Sequence, residues 1–515
     1  MTTPLHEEIN QTENNHSIFE DKIKAYHPPI LPCFYKENKI IVPTFTAKKN
    51  TSSQAKIPLS DTIKKEFPNL LSRNSSYYLD YQKVPLTLRH SKRIAVLFSG
   101  GPAPGGNNIL AGLFKILSPQ HTLIGVCNGP GGFLNEELIT LTEKHIKSHA
   151  NLGGFDCLGT DRTKLKLKMQ LKQIESIIIK NKIDGIIIIG GDDSNTNATI
   201  LSEYLIDKCT VIGVPKTVDG DLQHKNKLPI SFGFDTATKI YSELVGNIMQ
   251  DVKSVRKYWH FIKLMGRDTS HVTLEVALQT KPTIALITEE ILEKKQSLND
   301  IINTIVQTIK IRSEKSLDYG IVLVPEGLIA HIAKDMKEIL SDQELQLLNQ
   351  SDDHGHPPLS SIPTEVLLGE CVKKHTPFKS QYHSFGYEGR CGAPTLFDSW
   401  YATHLGLIAG ALVLGGHTGY MASLAQLDTN PSPIGIPFTA LYGSGNVIKR
   451  TPVSLDSPAF TYFESRRQKW AGSDCFTSPG PRQFWGPFPM AVPFTVALNQ
   501  KYNATKINFN TSLST

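Results

Sequence analysis

Two stretches of this chain place chemically capable residues directly after short apolar runs. Gly190-Gly191-Asp192-Asp193-Ser194-Asn195 follows Ile186-Ile187-Ile188-Ile189, and Pro215-Lys216-Thr217-Val218-Asp219-Gly220-Asp221 follows Val211-Ile212-Gly213-Val214. Runs of this kind read as buried parallel strands, with the polar residues on the loop beyond the carboxyl end. Open α/β sheets bind ligands at that edge. Asp192, Asp193, Asp219, Asp221 and Lys216 are therefore expected in one crevice, where a metal cation or a phosphate ligand must balance the carboxylates. Of the adjacent pair Asp192 and Asp193, one member either caps the following helix or holds Mg²⁺ directly or through water, as phosphoryl-transfer sites do. Asp219 has the chemistry to accept a proton from a substrate hydroxyl. Lys216 can neutralise charge building on a transferred group, or pair with an aspartate, or both.

A third stretch, Ser99-Gly100-Gly101-Pro102-Ala103-Pro104-Gly105, lies between a strand-like and a helix-like segment. It reads either as a tight β-α turn or as a loop whose backbone approaches a phosphate. Pro102 and Pro104 interrupt the dinucleotide-binding glycine pattern, and the Gly-Lys-Ser/Thr of a Walker loop is missing.

Positioning these loops requires alternating strands and helices. Strands are predicted over 94–98, 123–127 and 186–189, with helices over 109–117 and about 164–180, which implies a doubly wound parallel sheet. Ala237, Ile240, Tyr241, Leu244, Val245, Ile248, Met249 and Val252 recur at helical spacing and define a long amphipathic helix. It leads into a second α/β unit with strands over 261–265, 283–287 and 320–324, and a helix carrying Ile301, Ile302, Ile305, Val306 and Ile309. Residues 330 to about 380 read as an insertion, helical over 332–348 and then a solvated loop; Asp352, Asp353, His354 and His356 in it are a weak metal-ligand pattern. A further apolar helix spans about 400–415. Residues 1–90 show no period and are expected to form an arm packed on the body.

The chain has 515 residues, 40% hydrophobic and 20% charged, and a net charge of +6. That length exceeds one hydrophobic core. The charge suits an anionic substrate, and no Lys/Arg block resembles a nucleic-acid tail. No apolar run approaches the ~20 residues needed to cross a bilayer. The seven cysteines are scattered and lack CxxC spacing, so reduced thiols and a cytoplasmic location are expected.

Six motifs in order, the three above together with Met265-Gly266-Arg267, Pro325-Glu326-Gly327 and Tyr387-Glu388-Gly389-Arg390, resemble the phosphofructokinases, specifically their long pyrophosphate-dependent branch. The resemblance runs from about residue 94 to about 488. It implies two Rossmann-like parallel-sheet domains: 91–236 with about 398–465 for pyrophosphate and Mg²⁺, and 237–397 with about 466–515 for fructose 6-phosphate. It further implies that Gly100 or Gly101 contacts pyrophosphate, joined by Arg162, and that Asp192 binds Mg²⁺. Asp219 would take the proton of the sugar C1 hydroxyl, with Thr217 and Val218 beside the sugar. Met265, Gly266, Arg267 and Glu326 would line the sugar site. Tyr387 with Arg390 would hold the 6-phosphate end, and Glu388 and Gly389 between them would belong to the same substrate-binding stretch. Lys257 and Tyr258 would reach into the sugar site of a partner across a homodimer interface.

In the ATP-using branch a glycine stands where this chain has Asp193. By the resemblance, the Asp193 carboxylate occupies the place of the nucleotide α-phosphate, and two anions in contact there repel by about several kcal/mol. Lys216 would stabilise the transition state with pyrophosphate as donor. Trp259, Lys263 and Asp268-Thr269 depart from the pattern around the sugar motif. The expected activity is reversible phosphoryl transfer from pyrophosphate to fructose 6-phosphate. The alternatives are an ATP-dependent 6-phosphofructokinase or a non-catalytic regulatory subunit, although Asp192 and Asp219, both needed for catalysis, are present.

Overall fold

The structure, a computed structural model, describes residues 20, 23–47, 57, 59–73, 77–88, 90–165, 167–337, 339–350, 357–443, 447–479, 495–496 and 498–499. Asp352, Asp353, His354, His356 and most of the tail after Ser478 lie outside the described residues.

The β-branched runs become the centre of a nine-stranded sheet. Its order is Pro43–Ala47, Leu79–Pro85, Ser432–Pro437, Tyr420–Ala425, Thr210–Pro215, Gly185–Gly190, Arg93–Phe98, Thr122–Val126 and Leu138–Thr140. The five strands from Tyr420–Ala425 to Thr122–Val126 run parallel. Every residue of Gly185–Gly190 is buried, because helices cover both faces. Val96, Phe98, Ile187 and Ile189 pack on one face with the helices Gly106–Leu117 and Leu396–Leu414. Ala95, Leu97, Ile186 and Ile188 pack on the other with Lys168–Asn181 and Asp192–Tyr204.

The sheet is mixed rather than wholly parallel. Ser432–Pro437, Leu79–Pro85, Pro43–Ala47 and Leu138–Thr140 pair antiparallel at its flanks. Part of the N-terminal stretch thus enters the body as two strands of this sheet.

The helix Phe234–Val255 leads to a second sheet of four parallel strands: Ile284–Ala285, Tyr319–Pro325, Tyr258–Leu264 and Ser380–Phe385. The expected strand over 283–287 shrinks to two residues, because the Thr283 hydroxyl takes the Ile321 N–H that a longer ladder would use. The expected helix over 332–348 is broken. A single turn, Ile329–Ile332, ends it, and Ser341 with Glu344 forms a capping box that starts Asp342–Asn349 afresh.

Candidate active site

The first sheet changes direction beside its first central strand. Arg93–Phe98 has Thr122–Val126 on one side and Gly185–Gly190 on the other, so the chain reverses its winding between 93–98 and 185–190. Loops at such a point diverge and leave a crevice at the carboxyl ends of the strands. The Ser99 N–H donates to Ile189 O at 2.9 Å, which holds the two loop origins together. A cleft of about 590 Å³ opens there.

One half of the cleft is built from the first sheet. Gly100, Gly101, Arg162, Asp192, Asp193, Lys216, Thr217, Val218, Asp219 and Asp221 all line it. Gly191 is the N-cap of the helix Asp192–Tyr204, with no side-chain cap, so neither aspartate serves as one. Both sit in the first turn, where the helix dipole favours negative charge. The Ser194 hydroxyl donates instead to Ser99 Oγ at 2.9 Å, tying this helix to the glycine loop. Gly100, at φ 84°, donates its N–H to Asp161 O at 2.8 Å and accepts from the Thr160 hydroxyl at 2.8 Å. That clasp brings Arg162 into the cleft.

The other half comes from the carboxyl ends of the second sheet. Met265, Arg267, Glu326, Tyr387 and Arg390 line it. The Gly327 N–H donates to Gly266 O at 3.2 Å, joining two of the motifs. Tyr241, on the long connecting helix, donates its hydroxyl to Gly386 O at 2.6 Å beneath the turn Tyr387–Arg390. The Arg390 guanidinium stacks over the Tyr387 ring at 5.0 Å and lies against Gly101 across the cleft.

Three expected residues support the cleft without lining it. Gly266 bends the chain at φ 140°, Glu388 accepts the Gly386 N–H at 2.8 Å, and Gly389 packs on Tyr241. Two others are not brought to this cleft. Lys257 and Tyr258 sit at the opposite end of the strand that delivers Met265, and they line a separate cleft with Lys310, Phe378 and Lys379.

Burial and neighbouring charges set the protonation of the site. Burial raises the pKa of Asp219, and Asp268 and Asp192 add to this, against Arg267 and Lys216. Asp221 is raised well above the usual carboxylate range, first by burial and then by Asp219 and Asp192. Glu326 is pushed up to about 7 by burial and by Asp219. Lys216 is lowered to about 8 by burial, with Arg390 and Arg162 contributing.

Sequence reasoning missed Arg450. Its Nε donates to Asp192 Oδ2 at 2.5 Å, its Nη1 to Asp268 Oδ2 at 2.6 Å, and its Nη2 lies 3.9 Å from Asp193 Oδ2. Asp268 also accepts from Arg267 Nε at 3.2 Å, so it links the two arginines. Arg450 comes from an aperiodic loop after the Ser432–Pro437 strand, and only a Lys-Arg pair before a proline hinted at it.

A sheet reversing at a glycine loop, with acidic loops facing a second sheet's arginines, defines a phosphate-handling α/β class. The family profile "Phosphofructokinase" matches residues 93–413, more than half of the chain. The chain belongs to the phosphofructokinase family. It is 39% identical over 498 residues to "Pyrophosphate--fructose 6-phosphate 1-phosphotransferase subunit beta 2" of Arabidopsis thaliana, covering 85% of this chain and 87% of that protein. It is 39% identical over 478 residues to "Pyrophosphate--fructose 6-phosphate 1-phosphotransferase" of Porphyromonas gingivalis, covering 80% and 87%. Its fold matches the crystal structure of a pyrophosphate-dependent phosphofructokinase from Nitrosospira multiformis with a TM-score of 0.57 at 17% identity, covering 80% of this chain and 97% of that one.

Proposed function

We propose that this chain transfers a phosphoryl group from pyrophosphate to the C1 hydroxyl of fructose 6-phosphate, giving fructose 1,6-bisphosphate and orthophosphate. One phosphoanhydride bond breaks and one phosphate ester forms, so the reaction runs in both directions. The observation that carries the donor assignment is Asp193, whose carboxylate lines the donor half of the cleft beside Asp192. The relatives named for pyrophosphate and fructose 6-phosphate support the same reading.

On this reading, pyrophosphate lies along Gly100 and Gly101 with Arg162 beside it. The sugar phosphate lies toward Arg267, Tyr387 and Arg390, since guanidinium groups match phosphate oxygens bidentately. Glu326 hydrogen-bonds the sugar hydroxyls, with Thr217, Val218 and Met265 against the sugar. The C1 oxygen attacks the near phosphorus, the bridging P–O bond breaks, and the hydroxyl proton passes to Asp219. The raised pKa of Asp219 makes it a stronger base than a free carboxylate, which suits a proton acceptor. Lys216 offsets charge on the group in transit.

Asp192 would hold a divalent cation, which we take to be Mg²⁺. Among the described residues no three His, Cys, Asp or Glu side chains cluster as a protein-only metal site. A single carboxylate facing a phosphate cleft fits a cation that keeps water and phosphate oxygens as its other ligands. When bound, it would neutralise charge on the pyrophosphate oxygens. Asp221, which lines the same cleft and feels the charge of Asp192, would act as a helper.

Lys257 and Tyr258 would serve the sugar site of a second copy of the chain, in keeping with their place outside this chain's own cleft. No helix among the described residues is long and apolar enough to cross a membrane. Parallel turnover assays with pyrophosphate and with ATP test the reading. Faster turnover with ATP overturns the donor assignment, and no turnover in either direction favours the non-catalytic alternative.

A further inference from the structure

The insertion contributes to the cleft. Pro357, Pro358, Leu359, Ser360 and Ser361 line it together with Gln350, and the turn Leu359–Ser361 packs against the turn Glu326–Leu328. This segment therefore faces the acceptor half.

Lys263 holds it there. The residue sits on the strand Tyr258–Leu264, two positions before Met265, and is almost fully buried. Phe261, two residues before it on the same strand, belongs to a buried apolar layer with Leu359, Ile362 and Leu368. A charge beside such a layer is costly unless it is hydrogen-bonded and paired. Lys263 Nζ donates to Ser360 O at 3.0 Å and to Ile362 O at 2.7 Å, and lies 3.6 Å from Glu365 Oε2. Two of its three N–H donors thus go to the main chain of one turn, and that turn's outer side chains, Ser360 and Ser361, are exposed to the cleft. Packing alone would be met by a methionine of similar length. The ammonium adds fixed attachment of two carbonyls that no apolar side chain can hold.

We propose that the 357–361 segment is the outer wall of the acceptor subsite, set by Lys263 as a positioning residue, and that this wall limits the length of the phosphorylated polyol the enzyme accepts. The inference rests on the sugar-phosphate reading of that half of the cleft.

The test is steady-state kinetics of the full-length chain, with thermal melting of each variant. Lys263→Met is expected to raise the KM for fructose 6-phosphate about tenfold, with kcat and the KM for pyrophosphate within about twofold, since only acceptor binding is touched. Lys263→Arg, which keeps donors for both carbonyls, is expected to restore most of that KM. In Lys263→Met the kcat/KM of a seven-carbon ketose phosphate, relative to the six-carbon one, is expected to rise. A folded, active Lys263→Met with unchanged acceptor KM and unchanged chain-length preference overturns the inference. If that variant fails to fold, Ser361→Trp, at an exposed wall position, decides: a raised acceptor KM with unchanged pyrophosphate KM supports the wall, and no change in acceptor KM overturns it. A wild-type chain inactive toward fructose 6-phosphate overturns the functional reading and this inference together.

Discussion

Gly101 faces Arg390 across the cleft, and replacing it with alanine isolates one question. Its backbone lies outside the positive-φ region, so Gly101→Ala introduces no backbone strain. The added Cβ would stand 2.9 Å from Arg390 Cζ and closer still to its Nη2. Ordinary carbon contacts lie near ~3.5–4.0 Å, so the guanidinium must retreat by about an ångström. Arg390 is a long side chain at a cleft edge and can move without disturbing the core. The fold is therefore expected to keep its melting temperature, while the phosphate of the acceptor loses a well-placed partner.

A misplacement of about 1 Å in a site of this kind costs up to about a hundredfold, or about 2.7 kcal/mol. The expectation for Gly101→Ala is a fall of ten- to a hundredfold, to order of magnitude, in kcat/KM for fructose 6-phosphate. Initial rates with each substrate varied in turn measure it. In kcat/KM for fructose 6-phosphate at saturating pyrophosphate, the double variant Gly101→Ala/Arg390→Ala should lose little beyond Arg390→Ala alone, because the two changes remove the same acceptor interaction. An effect confined to the pyrophosphate KM would refute this reasoning, showing that Gly101 acts through the donor and not through Arg390. Full additivity in the double variant would do the same.

Three further outcomes are expected. Asp219→Asn should lower kcat by about 10²–10⁴, the usual worth of a positioned proton acceptor, with the KM for fructose 6-phosphate little changed; single-turnover rates check this. Asp193→Gly should admit ATP in part: removing an anion about 4–5 Å from a phosphate at an effective dielectric of about 20 relieves about 3–4 kcal/mol, and ATP turnover in the variant is the readout. Lys216, lowered to about 8 mainly by burial, is protonated below that pH and neutral above it. The kcat/KM for pyrophosphate should therefore fall as pH rises through about 8, and Lys216→Arg should abolish that alkaline limb.

The parts of the fold that were legible in the sequence share one physical property. Central parallel strands are covered on both faces, so Ile186-Ile187-Ile188-Ile189 and Ile94-Ala95-Val96-Leu97-Phe98 stand out as unbroken apolar runs. The residues that end them then fall at the cleft without further argument. Strands half open to solvent give no such run. Ser380–Phe385, an edge strand of the second sheet, is wholly part-exposed or exposed and reads as polar. Pro43–Ala47, at the edge of the first sheet, and its neighbour Leu79–Pro85 likewise hide in a stretch without period, because antiparallel strands at a sheet's flank need only one apolar face. In the site, the loops that follow buried strands were readable. Arg450 and the 357–361 wall were not, since each arrives from a loop whose path depends on packing against residues far away in sequence. Asp268 was noticed only as a departure from the family pattern. The structure gives it a place between Arg267 and Arg450.

That arrangement bears on how the cleft tolerates its carboxylates. Asp192, Asp193, Asp219, Asp221, Asp268 and Glu326 surround a space also approached by Arg162, Lys216, Arg267, Arg390 and Arg450. Burial first, and repulsion among the acids after it, make Asp219, Asp221 and Glu326 all resist ionisation. The cations repel as well, and Arg390 and Arg162 help to lower Lys216. Arg450 pairs with Asp192 and Asp268, whereas Asp219, Asp221 and Glu326 among the acids and Lys216 among the cations are under-compensated by their immediate neighbours. Phosphates entering beside Lys216 and the arginines favour the protonated lysine. A cation at Asp192 favours ionised carboxylates near it. Substrate and metal binding on this reading would thus favour the charged form of Lys216 and the ionised form of Asp219, the forms that stabilise charge and accept the proton. The electrostatic preparation of the site would be completed by the ligands themselves, and a chain lacking either the acidic or the basic set would gain nothing from binding the other substrate.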